Sequence, residues 1–335
     1  MNIQMAGIDY SLAGIDIREK FSFTTSCQSE IYEQIKLDEN ILGSVIVSTC
    51  NRTEIYLSCV EGYEINPFEL VCSIINVNFS SYESLHRTRE GDSLYWHLCR
   101  LACGAKSQIW GEDQIISQVK NSLVLARENN ATDNILEVLF RSAITCAKKI
   151  KTKVKFSKSE STVALKTLSI LKKQGQLGKK VLVIGNGEVG KLVAKTLLEN
   201  GFEVTMTLRQ YKYSDVELPT GAKAFDYALR YEKLNEFDIL VSATLSPHYT
   251  VEKARLLKLT HYPKLMIDLA VPRDIDVAIT SIKDITLYDI DTIGKDTINE
   301  DHIKQLLEID EIIEKYHFDF IKWGSYAINK ELVTI

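Results

Sequence analysis

The sequence has no Cys-x-x-Cys pair and no His/Cys cluster at zinc-ligand spacing, although it holds seven cysteines. Cys99 and Cys103 stand one helical turn apart but lack a second ligand pair, so no structural metal is expected. The odd cysteine count points instead to a reducing cytoplasm. No window reaches the ~18 apolar residues of a membrane span. The start, Met1-Asn2-Ile3-Gln4, lacks the charged and apolar regions of a secretory signal, so no membrane association is expected. An excess of positive charge is missing too. Forty Lys and Arg face 45 Asp and Glu, for a net charge of −5. The molecule as a whole is therefore not a generic polyanion binder, and any nucleic-acid contact must come from a local basic patch. There are five prolines, no internal repeats and no low-complexity tract. What remains is a chain of 335 residues, 45% hydrophobic and 25% charged, with the composition of a soluble globular protein and length enough for two or more domains.

Residues 1–150 read as a small α+β domain. Ile3 to Ile8 is a strand, Asp16 a helix N-cap, Ser29 to Leu37 a helix, and Val45-Ile46-Val47 a buried strand. Glu54 to Val60 is a further strand, Pro67 opens a helix through Ile75, and Leu85-His86 closes the sheet. Asp92 then caps a helix that Gly104 ends. From Gln114 to Lys151 the pattern is helical, with a break near Asn129 to Asp133. Residues 151–178 form a linking helical segment, with a helix from Ser161 to Lys173. From Glu300, a seam of Leu306, Ile309, Ile313, Tyr316, Phe320 and Trp323 at helical spacing must pack on something.

The stretch Ser48-Thr49-Cys50-Asn51-Arg52-Thr53-Glu54-Ile55-Tyr56 places a cysteine where a buried strand gives way to small polar residues. Arg52, two residues on, is expected to favour the thiolate and sharpen Cys50 as a nucleophile. Residue chemistry alone leaves an inert packing thiol open as well, because free cysteine is commonly buried. His97 is open in the same way, as a half-buried helix histidine or as a proton donor or carbonyl polariser near Cys50. Between Ser107 and Lys120, the side chains of Ser107, Glu112, Gln114 and Gln118 could hydrogen-bond a polar ligand, or could simply cap a solvated first turn. Lys148, Lys149, Lys151, Lys153, Lys155 and Lys158 form either a solvated face or a strip for RNA phosphates.

Residues 179–294 carry the βα rhythm of a dinucleotide-binding domain. The strand Lys180 to Ile184 runs into Gly185-Asn186-Gly187-Glu188-Val189-Gly190, which opens a helix and is followed by a second strand, Glu203 to Thr207. The first glycine permits the tight turn, the second admits a pyrophosphate, and the third lets helix and strand pack closely. Where an NAD protein places an acidic residue, this chain has Leu208-Arg209-Gln210, so Arg209, assisted by Lys212, favours the 2′-phosphate of NADP. Strands Phe237 to Thr244 and Leu265 to Ala270 should line the cofactor crevice, and Thr286-Leu287-Tyr288 is a last short strand.

Taken in order, Arg18-Glu19-Lys20, the cysteine stretch, His97-Leu98, Gly111-Glu112-Asp113-Gln114-Ile115 with Gln118-Val119-Lys120, the dinucleotide loop, Ile267 to Asp274 and Leu287 to Asp291 resemble the glutamyl-tRNA reductases over nearly the whole length. The resemblance implies an N-terminal catalytic α+β domain, a linking helix, a Rossmann-type NADP-binding domain, and a truncated C-terminal helix over 295–335 as the remnant of a dimerisation domain. It implies that Cys50 takes the glutamyl group from glutamyl-tRNA as a thioester. NADPH then reduces that thioester to glutamate-1-semialdehyde, the entry compound of tetrapyrrole synthesis. It implies Cys50 and His97 as catalytic residues. Thr49, Asn51, Arg52, Ser107, Glu112, Asp113, Gln114 and Gln118 would hold the substrate, and Gly185 to Gly190 with Arg209 the cofactor. Its partners would be glutamyl-tRNA and an aminomutase that consumes the semialdehyde. The chain departs from the family pattern at Tyr10 to Gly14, where Leu12 replaces a hydroxyl, and at Lys155-Phe156-Ser157-Lys158. These departures leave open a divergent NADP-dependent reductase or a non-catalytic tRNA- or tetrapyrrole-binding relative.

Overall fold

The computed structural model describes residues 1–156, 162–209, 217–293 and 300–333. Ser161 and Lys158, and Gln210 and Lys212 beyond the second cofactor strand, lie outside the described residues. The chain divides into two compact units, Met1–Lys158 with Asp296–Ile335, and Ser159–Lys295.

The first unit begins with β1 (Asn2–Asp9), α1 (Ile15–Arg18), α2 (Thr25–Ile35), β2 (Ile41–Thr49) and β3 (Arg52–Cys59). It continues with α3 (Pro67–Ile74), β4 (Arg87–Glu90), α4 (Gly91–Ala102), α5 (Gln114–Glu128) and α6 (Asn134–Lys153). The four strands form an antiparallel sheet in the order β2-β3-β1-β4. Both faces are covered. On one, Tyr56 meets Phe140 of α6 and Glu54 meets His97 of α4. On the other, the Thr53 hydroxyl donates to Phe21 O, and Phe21 packs on Phe68 of α3. Alternation along β3 therefore sends residues 52, 54 and 56 toward α4 and α6.

Three local expectations are corrected. Asp16 lies inside the first turn of α1, and Gly14 is the N-cap. The fourth strand is Arg87–Glu90 rather than Leu85-His86, because Leu85 sits in a 3-10 turn. Helix α4 is capped by Glu90, whose backbone N–H donates to the Ser93 hydroxyl in a capping box, and not by Asp92.

The second unit runs α7 (Val163–Lys173), β5 (Lys180–Ile184), α8 (Glu188–Glu199), β6 (Glu203–Leu208), β7 (Lys223–Asp226), α9 (Arg230–Lys233) and β8 (Ile239–Ser242). After these come α10 (Lys253–Leu256), β9 (Leu265–Asp268), β10 (Thr286–Asp289) and α11 (Ile290–Ile293). Its six strands are all parallel, in the order β10-β9-β8-β5-β6-β7. The central strands β5 and β8 are apolar on both faces, as a sheet covered on both sides requires. Val181, Val183 and Val241 pack with α7 and α8, while Leu182, Ile184 and Leu240 face Leu234 and Leu256. The order reverses between β5 and β8, which opens a crevice at the carboxyl ends of these strands.

The last helix, α12 (Glu300–Val333), returns to the first unit. Ile309, Ile313 and Phe320 are buried in that unit's core, and Phe320 stacks on Tyr95 at 4.9 Å. The expected seam is real, and α4 and α6 are what it packs on.

Candidate active site

Strands β2 and β3 pair from Thr49↔Arg52 downward, so Cys50 and Asn51 are a two-residue hairpin turn. Five of the seven cysteines are buried, but Cys50 is only half-buried. The charges of Glu112, Arg18 and Arg52 act on its sulfur. Arg18, 3% exposed, donates from Nη1 to Ala13 O at 2.8 Å and from Nε to the Cys50 carbonyl at 3.4 Å. Asn51 donates its backbone N–H to the Thr49 hydroxyl at 3.2 Å, and its buried Oδ1 has no hydrogen-bond partner. Arg52 pulls the thiol down, as expected, but does not prevail. Burial, followed by the Glu112 charge, pushes the Cys50 thiol up to about 12, against the pull of Arg18 and Arg52. Arg52 is also committed elsewhere.

That commitment is to a buried network. Arg52 Nη1 donates to Glu54 Oε1 at 2.8 Å, Nη1 lies 4.0 Å from Asp9, and Nη2 donates to Lys106 O. Glu54 also accepts the Tyr56 hydroxyl at 2.5 Å, and its Oε1 lies 2.9 Å from His97 Nε2. Burial works against the Glu54 charge, but His97, Arg52 and Tyr56 outweigh it and hold the carboxyl well below the usual carboxylate range. His97 is therefore tied to Arg52 through Glu54.

The segment after α4 folds back on itself, with Gly111 N donating to Gly104 O at 3.0 Å. Lys151, half-buried among the described members of the basic run, donates to Gly111 O, Glu112 O and Asp113 Oδ1 at 2.6, 3.1 and 2.7 Å. Lys148, Lys149, Lys153 and Lys155 are exposed. Ser107 is buried, and its carbonyl accepts the Tyr10 hydroxyl at 3.3 Å. Burial raises the Glu112 carboxyl above its ordinary value, against the pull of Lys151 and Arg52. Asp113 does not join this group. Its side chain is 90% exposed and paired with Lys151, and it makes no cap to α5. Gln114 and Gln118, half-buried and one turn apart, share a face at the start of α5.

In the second unit, the turn from β5 into α8 fits a pyrophosphate. Gly185 has φ +108°, and a Cβ there would lie 2.3 Å from Ala243 O. A Cβ on Gly190 would lie 2.2 Å from Gly185 O. A Cβ on Gly187 would meet nothing within 4 Å, so its bare backbone borders open space at the N-cap of a 12-residue helix. Arg209, exposed just past β6, lies over the Tyr227 ring at 6.0 Å. The crevice floor is welded by Asp274, which accepts from the Ser242 hydroxyl at 2.7 Å, from Thr244 N at 2.8 Å and from the Thr244 hydroxyl at 2.5 Å. Among the described residues no His, Cys, Asp or Glu cluster could hold a metal, and no helix is long and apolar enough to cross a membrane.

Residues 6–154 match the family model described as glutamyl-tRNAGlu reductase, N-terminal domain, and residues 169–295 match that of shikimate / quinate 5-dehydrogenase. A glutamyl-tRNA reductase of Acetivibrio thermocellus is 53% identical over 326 residues, 97% of this chain and 98% of that protein. This chain belongs to the glutamyl-tRNA reductase family. A second member, from Alkaliphilus oremlandii, is 53% identical over 96% of this chain and 97% of its own. Among solved structures, the glutamyl-tRNA reductase of Methanopyrus kandleri matches with a TM-score of 0.54 and 25% identity, covering 99% of this chain and 82% of that one. The second unit is a nucleotide-binding domain of the kind that takes a nicotinamide cofactor.

Three residues at this family site were given no site role from the sequence. Arg18 touches the Cys50 backbone from α1, Glu54 joins Arg52 to His97, and Lys151 braces the Gly111 to Asp113 loop. Glu54 had a signal, being two residues past Arg52 in a strand and so on its face. The contacts of Arg18 with Cys50 and of Lys151 with the loop had none, because the partners are 32 and 38 or more residues away.

Proposed function

We propose that this chain uses NADPH to reduce the glutamyl group of glutamyl-tRNA to glutamate-1-semialdehyde through a thioester on Cys50, opening tetrapyrrole (porphyrin) synthesis in the bacterial cytoplasm. The observation that carries this reading is a half-buried cysteine on a two-residue turn, ringed by Arg18, Arg52 and Glu112. Cys50 is the nucleophile. Its thiol stays protonated at neutral pH until the substrate arrives and a base takes the proton, which suppresses stray oxidation and alkylation. Thr49, Asn51, Arg52, Ser107, Glu112, Gln114 and Gln118 hold the glutamyl group. The unpartnered Asn51 Oδ1 suits a ligand N–H or O–H. Asp113 keeps the loop on Lys151.

Gly185, Asn186, Gly187, Glu188, Val189 and Gly190 hold the pyrophosphate on backbone N–H groups. Arg209 pairs with the 2′-phosphate. When bound there, NADPH supplies the hydride that turns the acyl thioester into an aldehyde. That product calls for an aminomutase as the next enzyme.

Incubation with glutamyl-tRNA and NADPH is expected to yield semialdehyde, and Cys50→Ser to yield none. Turnover that survives the substitution would remove the mechanism. A panel of other aminoacyl-tRNAs and acyl thioesters separates a divergent reductase from this reading.

A further inference from the structure

Helix α12 lays an apolar stripe on the first unit from Leu306 to Trp323, but just before that stripe it meets the unit with two polar side chains. His302 and Gln305 stand three residues apart and so share a face. Both reach the same residue. Gln305 Oε1 accepts from Trp110 Nε1 at 2.7 Å, and the His302 ring stacks on the Trp110 ring at 4.6 Å with 24° between the planes. Trp110 is 8% exposed and His302 6%. An indole N–H buried this far needs an acceptor, and α12 supplies it.

Trp110 heads a turn. Glu112 N donates to Ile109 O at 3.2 Å, which closes residues 109–112 around Trp110 and Gly111. Gly111 has φ +70°, the positive value that the third residue of a type II turn requires. A Cβ there would run into the Phe156 ring, so the turn lies close against that side chain. Lys151 holds the carbonyls of Gly111 and Glu112 from α6, while α12 holds Trp110. The residue this turn delivers is Glu112, whose charge acts on the Cys50 sulfur. Among the described residues no hydrogen bond or ion pair fixes the Glu112 carboxyl, so its backbone decides where it sits.

We propose that Trp110 is a positioning residue for acyl transfer: α12 holds its ring with His302 and Gln305, and the turn it heads presents Glu112 to the glutamyl group. The proposal rests on the glutamyl-transfer reading above. It gives α12 a task beyond covering the core of the first unit.

Gln305→Leu removes the acceptor and keeps the bulk. Its KM for glutamyl-tRNA in Cys50 acylation is expected to rise about tenfold, with the maximal rate within about threefold of wild type. Gln305→Glu keeps an acceptor and should recover most of the loss. With the turn loosened, the Glu112 charge should weigh less on the sulfur. Iodoacetamide should therefore alkylate Cys50 about threefold or more faster in Gln305→Leu than in wild type at about pH 8.5. Phe320→Leu loosens α12 far along the same helix, where it stacks on Tyr95. It should lower the melting temperature and leave KM and alkylation unchanged. Wild-type KM and alkylation in Gln305→Leu would overturn the proposal, and so would equal changes in Phe320→Leu. If Gln305→Leu fails to fold, Trp110→Phe removes the donor, keeps an aromatic ring on His302, and carries the same expectations. A wild-type protein that forms no adduct refutes the transfer reading itself, and the alkylation comparison then still decides whether α12 sets Glu112.

Discussion

Around Cys50, the first unit gathers charged side chains from a helix (Arg18), a strand (Arg52) and a folded-back loop (Glu112). At Gly185 to Gly190, the second unit works with backbone and with side chains left out. The first site is held by partners far apart in sequence, as in Arg18 with Cys50 O and Lys151 with Glu112 O. The second is contained in one strand, one turn and one helix. Recognition built from side chains can be specific for a particular acyl group. Recognition built from backbone can serve any dinucleotide, and it is correspondingly generic in sequence.

The largest effect that sharpens this contrast is expected at the glycines. Gly185→Ala sets a side chain at φ +108° and 2.3 Å from Ala243 O, and should destabilise the second unit by roughly 3 kcal/mol or more. Gly187→Ala enters open space at a φ of −72°, so thermal unfolding should not change while NADPH affinity falls about tenfold or more. Calorimetry and cofactor titration read the two outcomes. Equal melting losses at both positions would break the distinction between turn-forming and ligand-facing glycines.

The units should also answer pH with opposite signs. Glu54 is depressed in the fold, so its contribution is present above the ordinary value of 4.5 and is lost as pH falls below it. Asp268 goes the other way. Burial and then the Asp274 charge raise its carboxyl from 3.8 to about 8. Its contribution is therefore complete below about 3.8 and is lost as pH rises toward about 8. Hydrogen exchange by mass spectrometry, corrected for intrinsic rates, should show β3 losing protection in acid and β9 losing it as pH rises through neutrality. The same sign in both strands would contradict the assignment.

The smallest effect is expected at Arg209. Arg209→Ala should lower the preference for NADPH over NADH by about tenfold and leave Cys50 acylation untouched. An unchanged cofactor ratio would put the 2′-phosphate elsewhere.

What could be read from the sequence follows the same division. The strand, glycine turn and helix of the second unit are contiguous, so their spacing carried them. Strand β7 was not foreseen, because Lys223-Ala224-Phe225-Asp226 is a short edge with one buried residue. Strand β4, Arg87-Thr88-Arg89-Glu90, has no apolar side chain, and the apolar Leu85 drew the expectation two residues early. The hairpin that presents Cys50 was legible, because Val45-Ile46-Val47 ends in small polar residues. The direction of the Arg52 effect was legible, but its weight was not. Proximity in sequence places a cation beside a thiol, but burial and the Glu112 charge outweigh it, and neither can be read from the neighbouring residues.

The account turns on a covalent bond at one sulfur, and mass reads it directly. The full chain mixed with glutamyl-tRNA in the absence of NADPH should gain the mass of one glutamyl group, mapped to Cys50 and discharged when NADPH is added. A protein that stays at its unmodified mass with intact charged tRNA, or that carries the group on another residue, would contradict it.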